Sequence, residues 1–335
     1  MTTQGGAPAV TTPGADVEQA GEPGTPGRAP KVTLGLPVYN AERYLPTLVP
    51  EYLSQTFTDF ELVISDNAST DATEQLAREF AAQDPRVRHV RQKTNIGMSP
   101  NFQSLRGVAR GEYFRWGAAD DLIGPGYVAA CVAALDANPD AVLAQGRCVD
   151  VDVDGNVLVE YPPLDVTGPD PARRLRAVLG PHESHEYFGV MRMDALRTVA
   201  RAVPSHPECD RVILTAMALR GPFVYTDDAV FQRRWHTGQT MQVRRTSERV
   251  RIHDPRRSGF TLPAFELGYD LLREIHRAPL TRRQRLACYA AMRVWLRHNY
   301  VKMIKNVGRA AIEVVGAAGR RLRPGGGRTT AAKGA

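Results

Sequence analysis

The stretch Lys31-Val32-Thr33-Leu34-Gly35-Leu36-Pro37-Val38-Tyr39-Asn40 decides how the chain is read. Val32 to Leu36 is a short, β-prone apolar run, and Pro37 to Asn40 closes it in a turn. The same pattern returns at Glu61-Leu62-Val63-Ile64-Ser65, Arg86-Val87-Arg88-His89-Val90 and Glu112-Tyr113-Phe114-Arg115-Trp116. Between these runs apolar residues fall at helical spacing. Strands therefore alternate with helices, and the expected fold class is α/β.

The helices can be placed from their stripes and end signals. Leu45, Leu48, Val49, Tyr52 and Leu53 give the first a buried face, which Pro50 is expected to kink or break. Asp71 with Glu74 reads as a capping box for a helix through Phe80. Ser99-Pro100 reads as a cap and first-turn proline for a helix ending near Gly111. Val128, Cys131, Val132 and Leu135 share one face of a fourth helix, stopped at Asn138-Pro139. The run from Val149 to Val159 begins D-x-D-x-D-G like a calcium loop, but its twelfth position is Tyr161, not a bidentate Glu. Its Val/Asp alternation around Asp154-Gly155 predicts a half-buried hairpin instead.

The 335 residues, 43% hydrophobic and 24% charged, are enough for one large or two ordinary domains. Cys131, Cys148, Cys209 and Cys288 lie far apart with no C-x-x-C pair, which argues against a thiolate zinc site or a disulfide-stapled scaffold and for a reducing, cytoplasmic setting. No apolar run approaches the roughly 18–20 residues of a membrane span. Residues 1–30 carry one basic residue, Arg28, and no apolar core, so they read as a disordered tail rather than a signal peptide. From Arg244 onward 21 Lys or Arg face 6 acids, a net of +15, which leaves −8 for residues 1–243 of a chain whose net charge is +7. No helix-turn-helix, zinc-finger spacing or RNA-binding strand accompanies the basic segment, so nucleic acid is not an expected partner.

Three polar features follow predicted strands, where open α/β sheets bind ligands. They are Pro37-Val38-Tyr39-Asn40, then Asp66-Asn67-Ala68-Ser69-Thr70-Asp71, then Ala118-Ala119-Asp120-Asp121. Adjacent acids are common by chance, so their position carries the weight. Two neighbouring carboxylates with no basic residue beside them repel unless a cation intervenes, and a hard divalent ion bridging to phosphate oxygens is the economical answer.

The order P-V-Y-N, D-N-x-S-T-D, N-x-G at Asn95-Ile96-Gly97 and A-D-D resembles the nucleotide-binding half of the family 2 inverting glycosyltransferases with the A-type fold. The resemblance runs from Lys31 to about His236 and is looser beyond Val149. It implies a mostly parallel, Rossmann-like sheet flanked by helices, a nucleotide-sugar half at 31–145 and an acceptor half at 146–240. A basic helical accessory region, 241–323, and a flexible tail, 324–335, complete the expected organisation.

The resemblance also implies roles. Pro37, Tyr39 and Asn40 would line the donor crevice, with Tyr39 against the nucleobase. Asp66 would accept the ring N–H of uracil, thymine or guanine. Asp120 would sit near the ribose or sugar, and Asp121 would coordinate Mg²⁺ or Mn²⁺ against the diphosphate. Asn95 and Asn101 would line the same crevice.

For the acceptor, Pro207-Glu208-Cys209-Asp210-Arg211 resembles the family's acid at a helix start. Asp210 would be the general base, kept ionised by the helix dipole, with Glu208 as substitute; the competing reading of Asp210 is a helix N-cap. Phe231-Gln232-Arg233-Arg234-Trp235-His236 resembles the family's R-x-H segment, so Arg234 would contact phosphate and His236 would approach the metal. Asp227-Asp228 reads as a solvated turn. His182-Glu183-Ser184-His185 misses the zinc motif H-E-x-x-H by one position, which makes a zinc hydrolase unexpected.

Two rival readings remain: a sugar-nucleotide nucleotidyltransferase, which lacks its Gly-rich basic loop here, and a catalytically inactive sugar-nucleotide-binding module. Thr281 to Arg323 predicts a long basic helix or helix pair with Leu286, Tyr289, Met292, Leu296, Met303 and Val307 near one another. It suits either packing on the catalytic body or peripheral contact with the inner face of a membrane. The acceptor hydroxyl could belong to a lipid-linked glycan, a cell-wall polymer or a natural product. Arg-, Ala- and Gly-rich composition fits a bacterial source.

Overall fold

The computed structural model describes residues 17–20, 28–118, 121–199, 208–235, 251–255 and 262–321, with 17–20 and 309–321 as backbone only. Its spine is the parallel array the sequence announces. Strand β2 (Val32–Val38) pairs in parallel with β3 (Phe60–Asp66) on one side and β5 (Tyr113–Trp116) on the other, and β4 (Val87–Gln92) extends β3. Every residue of β2 and β3 is buried, as expected for parallel strands covered on both faces. Val38 pairs with Asp66, and Asp66 with Arg91, so three strands end level with one another.

Beyond β5 the sheet changes direction. Strand β9 (Val190–Arg192) lies antiparallel between β5 and β7 (Leu143–Val151), β7 runs parallel to β10 (Phe223–Arg234), and β6 (Leu122–Ile123) closes the order antiparallel to β10. At the other edge β1 (Val17–Ala20) pairs antiparallel with β4. These four residues fall inside the stretch read as a disordered tail. Strand addition satisfies the open backbone groups of an edge, which a reading of apolar content does not register. The remainder of residues 1–27 and the tail from 324 lie outside the described residues.

Helix α1 (Leu45–Leu53) runs through Pro50 without a break; Leu45, Leu48, Val49 and Tyr52 are all buried and hold the turn whose N–H the proline lacks. Helix α2 (Thr73–Gln83) has no true capping box. Asp71 accepts the Thr73 N–H at 3.1 Å, but Glu74 turns to Arg78 and Arg91. Helix α3 (Met98–Val108) starts one turn position before the expected Ser99 cap, leaving that hydroxyl free for a tertiary contact described below. Helix α4 (Tyr127–Ala137) buries the four side chains expected and ends at Asn138.

The hairpin pairing forms, β7 with antiparallel β8 (Val157–Tyr161), but not the expected alternating burial: β7 is buried nearly throughout and Val157, Leu158 and Val159 of β8 are exposed. The Asp152 carboxylate accepts the N–H groups of Asp154 and Asn156 at 2.9 Å, and Gly155 supplies the positive φ of 86°. Its simple alternation fails at Asp150, which is buried in an ion pair. Strand β10 continues through Phe231 to Arg234, so these residues lie within the strand rather than after it, and Asp227 and Asp228 are exposed at its irregularity.

The remaining helices are α5 (Pro171–Leu179), α6 (Met193–Thr198), α7 (Cys209–Ala218), α8 (Pro263–Arg277) and α9 (Arg282–Arg321). Leu175, Val212, Leu271, Ile275, Cys288 and Trp295 join α5, α7, α8 and α9 in a separate core. The basic arm is therefore one long helix, and it packs on the catalytic body through Cys288, Ala291 and Trp295. Trp295 lies so close to Gly268 that a Cβ there would meet its ring at 2.8 Å. Of the expected stripe, Leu286, Leu296 and Val307 instead face outward. No helix among the described residues is long and apolar enough to cross a membrane.

Candidate active site

The level ends of β2 and β3 are laced together. Val38 carbonyl accepts the Asn67 N–H at 2.9 Å, Asn40 N–H donates to Ser69 Oγ at 2.9 Å, and Asn40 Oδ1 accepts the Thr70 N–H at 2.9 Å. Asn40 and Ala68 hold φ values of 50° and 58°. Asn tolerates this left-handed region; Ala does so only because the surrounding bonds impose it. Pro37 pairs with Ser65 within the sheet, whereas Tyr39 emerges half-exposed, a ring available for stacking.

Asp66 is fully buried. Its Oδ1 accepts the Ser69 N–H at 2.9 Å and its Oδ2 accepts from Arg91, whose guanidinium also reaches the Ser69 carbonyl at 3.1 Å. Sequence reading did not single out Arg91. Its only signal is its register opposite Asp66, which appears once β3 and β4 are paired.

Asn95 and Asn101 take structural partners. Asn95 Oδ1 accepts from Asn67 Nδ2 at 3.0 Å and from Gly97 N at 2.9 Å, shaping the loop before α3. Asn101 is buried, its amide clamped to Ser65 by bonds of 2.7 and 3.0 Å, so it braces β3 from below rather than facing the crevice. Gly97 adopts φ 93°, and a Cβ there would lie 2.5 Å from the His253 carbonyl. A segment from the C-terminal third thus presses on this loop, and His253 Nδ1 meets Ser99 Oγ at 2.8 Å.

After β5 the chain passes Gly117, where a side chain would run into the Tyr52 hydroxyl, and reaches Asp121, buried at the start of β6. Beneath it lies a cationic support. Arg115 is buried among Tyr52, Tyr127 and Phe231 and donates to the Tyr52 hydroxyl at 3.0 Å. Burial pushes the Tyr52 phenol up, Arg115 opposes this, and the negative charges of Asp121 and Glu51 add to it. Asp121, Tyr52 and Arg115 therefore share one local field.

Leu122 pairs with Gln232, which brings the end of β10 alongside. Burial pushes the Glu51 carboxyl up, and the rise is opposed by the charge of Arg234, which lies on that end. Its neighbour Arg233 points the other way and clamps Asp150 through two bonds of 2.8 Å. Asp120 and His236, expected beside the sugar and the metal, lie outside the described residues. Among the described residues no group of three His, Cys, Asp or Glu could hold a metal ion. Asp121 is a hard carboxylate donor, the ligand type that Mg²⁺ or Mn²⁺ takes.

Asp210 occupies the second position of α7, one residue after Cys209. The cap position belongs to Glu208, which makes no side-chain cap bond, so Asp210 is not the helix cap. Burial raises its pKa; the Arg211 backbone N–H, the Arg211 charge and the Ser184 hydroxyl work against that rise. The expected help of the helix dipole in keeping Asp210 ionised is thus opposed by burial. Ser184, another residue missed from sequence, holds a φ of 58°.

Two contacts tie this corner to the donor side. Ser99 Oγ lies 3.4 Å from Cys209 Sγ, and Trp116 at the end of β5 stacks on Tyr187 at 4.6 Å between ring centroids. Tyr187 in turn feels the charge of Asp210.

The near-zinc motif forms no ligand set. His185 is buried with its ring 4.3 Å from that of Tyr161, and His182 Nδ1 lies 3.1 Å from the Gly180 carbonyl. Burial pushes both imidazoles down to about 4.

Known proteins resemble this chain in sequence and in fold. A chondroitin synthase of Escherichia coli is 36% identical over 111 residues, 33% of this chain and 16% of that protein. A glycosyltransferase, GlyA, of Streptococcus pneumoniae is 33% identical over 98 residues, 29% of this chain and 14% of that protein. The chain spans well under half the length of the curated relatives it matches. In three dimensions it resembles TarS of S. aureus in complex with UDP-GlcNAc, with a TM-score of 0.59, 17% identity, and coverage of 83% of this chain and 80% of that one. It also resembles the mannosyltransferase PcManGT of Pyrobaculum calidifontis with GDP-Man and Mn²⁺, with a TM-score of 0.50, 17% identity, and coverage of 86% and 88%. These likenesses identify the glycosyltransferase A-type fold. The family model for glycosyl transferase family 2 matches residues 33–198, and through that domain the chain belongs to glycosyl transferase family 2.

Proposed function

We propose that the protein transfers a sugar from a nucleoside diphosphate sugar to an acceptor hydroxyl, with inversion at the anomeric carbon. One observation supports the reading: Tyr39, Asp66 and Asp121 lie at or after the ends of three adjacent parallel strands, and Cys209, next to Asp210, touches Ser99 on the donor side. Tyr39 stacks on the nucleobase and Asp66 accepts its ring N–H. Asp121 and Arg234 face the diphosphate, and Asp120 and His236 belong to the same group.

Asp121 would hold a divalent ion, which would neutralise charge on the departing nucleoside diphosphate. Asp210 takes the proton of the acceptor hydroxyl as its oxygen bonds the anomeric carbon and the bond from that carbon to the diphosphate breaks. A base works best with a pKa near the operating pH, so the rise that burial imposes on Asp210 favours this role.

A thermal-shift series with UDP, GDP and dTDP, each with and without Mn²⁺, tests the donor reading, because a ligand that binds only the folded state raises its melting point. The expected result is a clear rise for one diphosphate, larger with Mn²⁺. No rise with any of the three would remove the donor site.

A further inference from the structure

Helix α9 keeps one face for the protein and offers another outward. Cys288, Ala291 and Trp295 are buried in the helical core. About 120° around the helix, Leu296, Tyr300, Ile304 and Val307 recur at spacings of four, four and three residues. They are 50%, 54%, 67% and 51% exposed. Arg293 and Arg297 beside them are also exposed. Over Arg282–Arg321 the sequence places ten Lys or Arg against one acid, Glu313.

The two properties together select the partner. Phosphates of a nucleic acid would satisfy the cations but leave branched aliphatic side chains in water. A second copy of the helix would cover the apolar stripe but bring like charges together. An anionic lipid bilayer takes both, apolar side chains entering the acyl boundary while arginine and lysine meet lipid phosphates. Helix α8 adds Phe265, Tyr269 and Leu272, at helical spacing and 40%, 66% and 43% exposed. We infer that α9 docks the protein on an anionic membrane surface. Lys302, on the protein-facing side of the same helix, lies with its Nζ 4.0 Å from Glu208 Oε1, two residues before Asp210, so α9 itself runs past that end of α7.

Co-sedimentation of the full chain with vesicles tests this, using phosphatidylcholine alone and phosphatidylcholine mixed with phosphatidylglycerol. Binding is expected only to the anionic vesicles and should weaken as salt rises. Leu296→Asp and Ile304→Asp, both at exposed positions, should each weaken it roughly tenfold with unchanged circular dichroism. Absence of binding at low salt overturns the inference. So does binding that Ile304→Asp leaves intact and a duplex oligonucleotide competes away, or an oligomer in solution that Ile304→Asp dissolves while vesicle binding stays absent.

Discussion

Arg91 closes on the buried carboxylate of Asp66, with which it is paired in strand register. Asp66 is fully buried while Arg91 keeps 23% of its side chain exposed, so the cation reaches in from the rim. An ionised carboxylate has about four acceptor positions. Asp66 therefore holds Ser69 and Arg91 with acceptor capacity left over, which the proposed contact to a nucleobase N–H would use.

Arg91→Gln should leave Asp66 buried beside a neutral amide and cost about 2 kcal/mol, below the full penalty for a wholly buried pair because the arginine is partly solvated. Urea denaturation measures this. An unchanged midpoint would mean that water, not Arg91, compensates the Asp66 charge.

Asp121→Ala should remove the enhancement of nucleoside diphosphate binding by Mn²⁺ while leaving the metal-free affinity close to wild type. Calorimetry with and without Mn²⁺ reads both values. Persisting enhancement would place the metal on other side chains.

Neighbours His185 and Glu186 should give pH effects of opposite sign. Burial drives the His185 pKa down to about 4 from an ordinary value near 6.5, so the unfolded chain binds the extra proton first and the stability His185 contributes at neutral pH is lost as pH falls through that window. Burial raises the Glu186 pKa, so its protonation favours the folded state as pH falls, and at neutral pH its charge is a cost. His185→Gln should flatten the fall in melting temperature between pH 7 and about pH 4.5. Glu186→Gln should stabilise the protein at pH 7 and lose that advantage in acid. Parallel pH dependence in the two variants would refute the assignment.

Much of the donor half can be read directly because its signals are local. Val32 to Leu36 and Glu61 to Ser65 are apolar enough to demand burial, and the polar residues after them then fall at strand ends. The Asp154-Gly155 turn likewise announces its hairpin. What could not be read depends on pairing across distance. Arg91 looks like any surface arginine until β4 lies beside β3, and Asp150 looks like the polar half of an alternating strand until Arg233 arrives from 83 residues away. Arg115 sits in an apolar run, yet it is buried under the Tyr52 hydroxyl near Asp121. Ser99 carries the signature of a cap, but its hydroxyl is committed to His253. The opposing effect of burial on Asp210 is hidden for the same reason: its first-turn position is visible in the sequence, but the packing around it is not.

The transfer rate of Asp210→Asn tests the central claim most directly. An amide of the same size keeps the packing at the start of α7 but cannot accept the acceptor proton. Loss of a general base should lower the rate of sugar transfer by about 10² to 10⁴, with nucleoside diphosphate affinity essentially unchanged. A folded Asp210→Asn variant that transfers sugar at the wild-type rate would contradict the account and remove Asp210 from the chemistry.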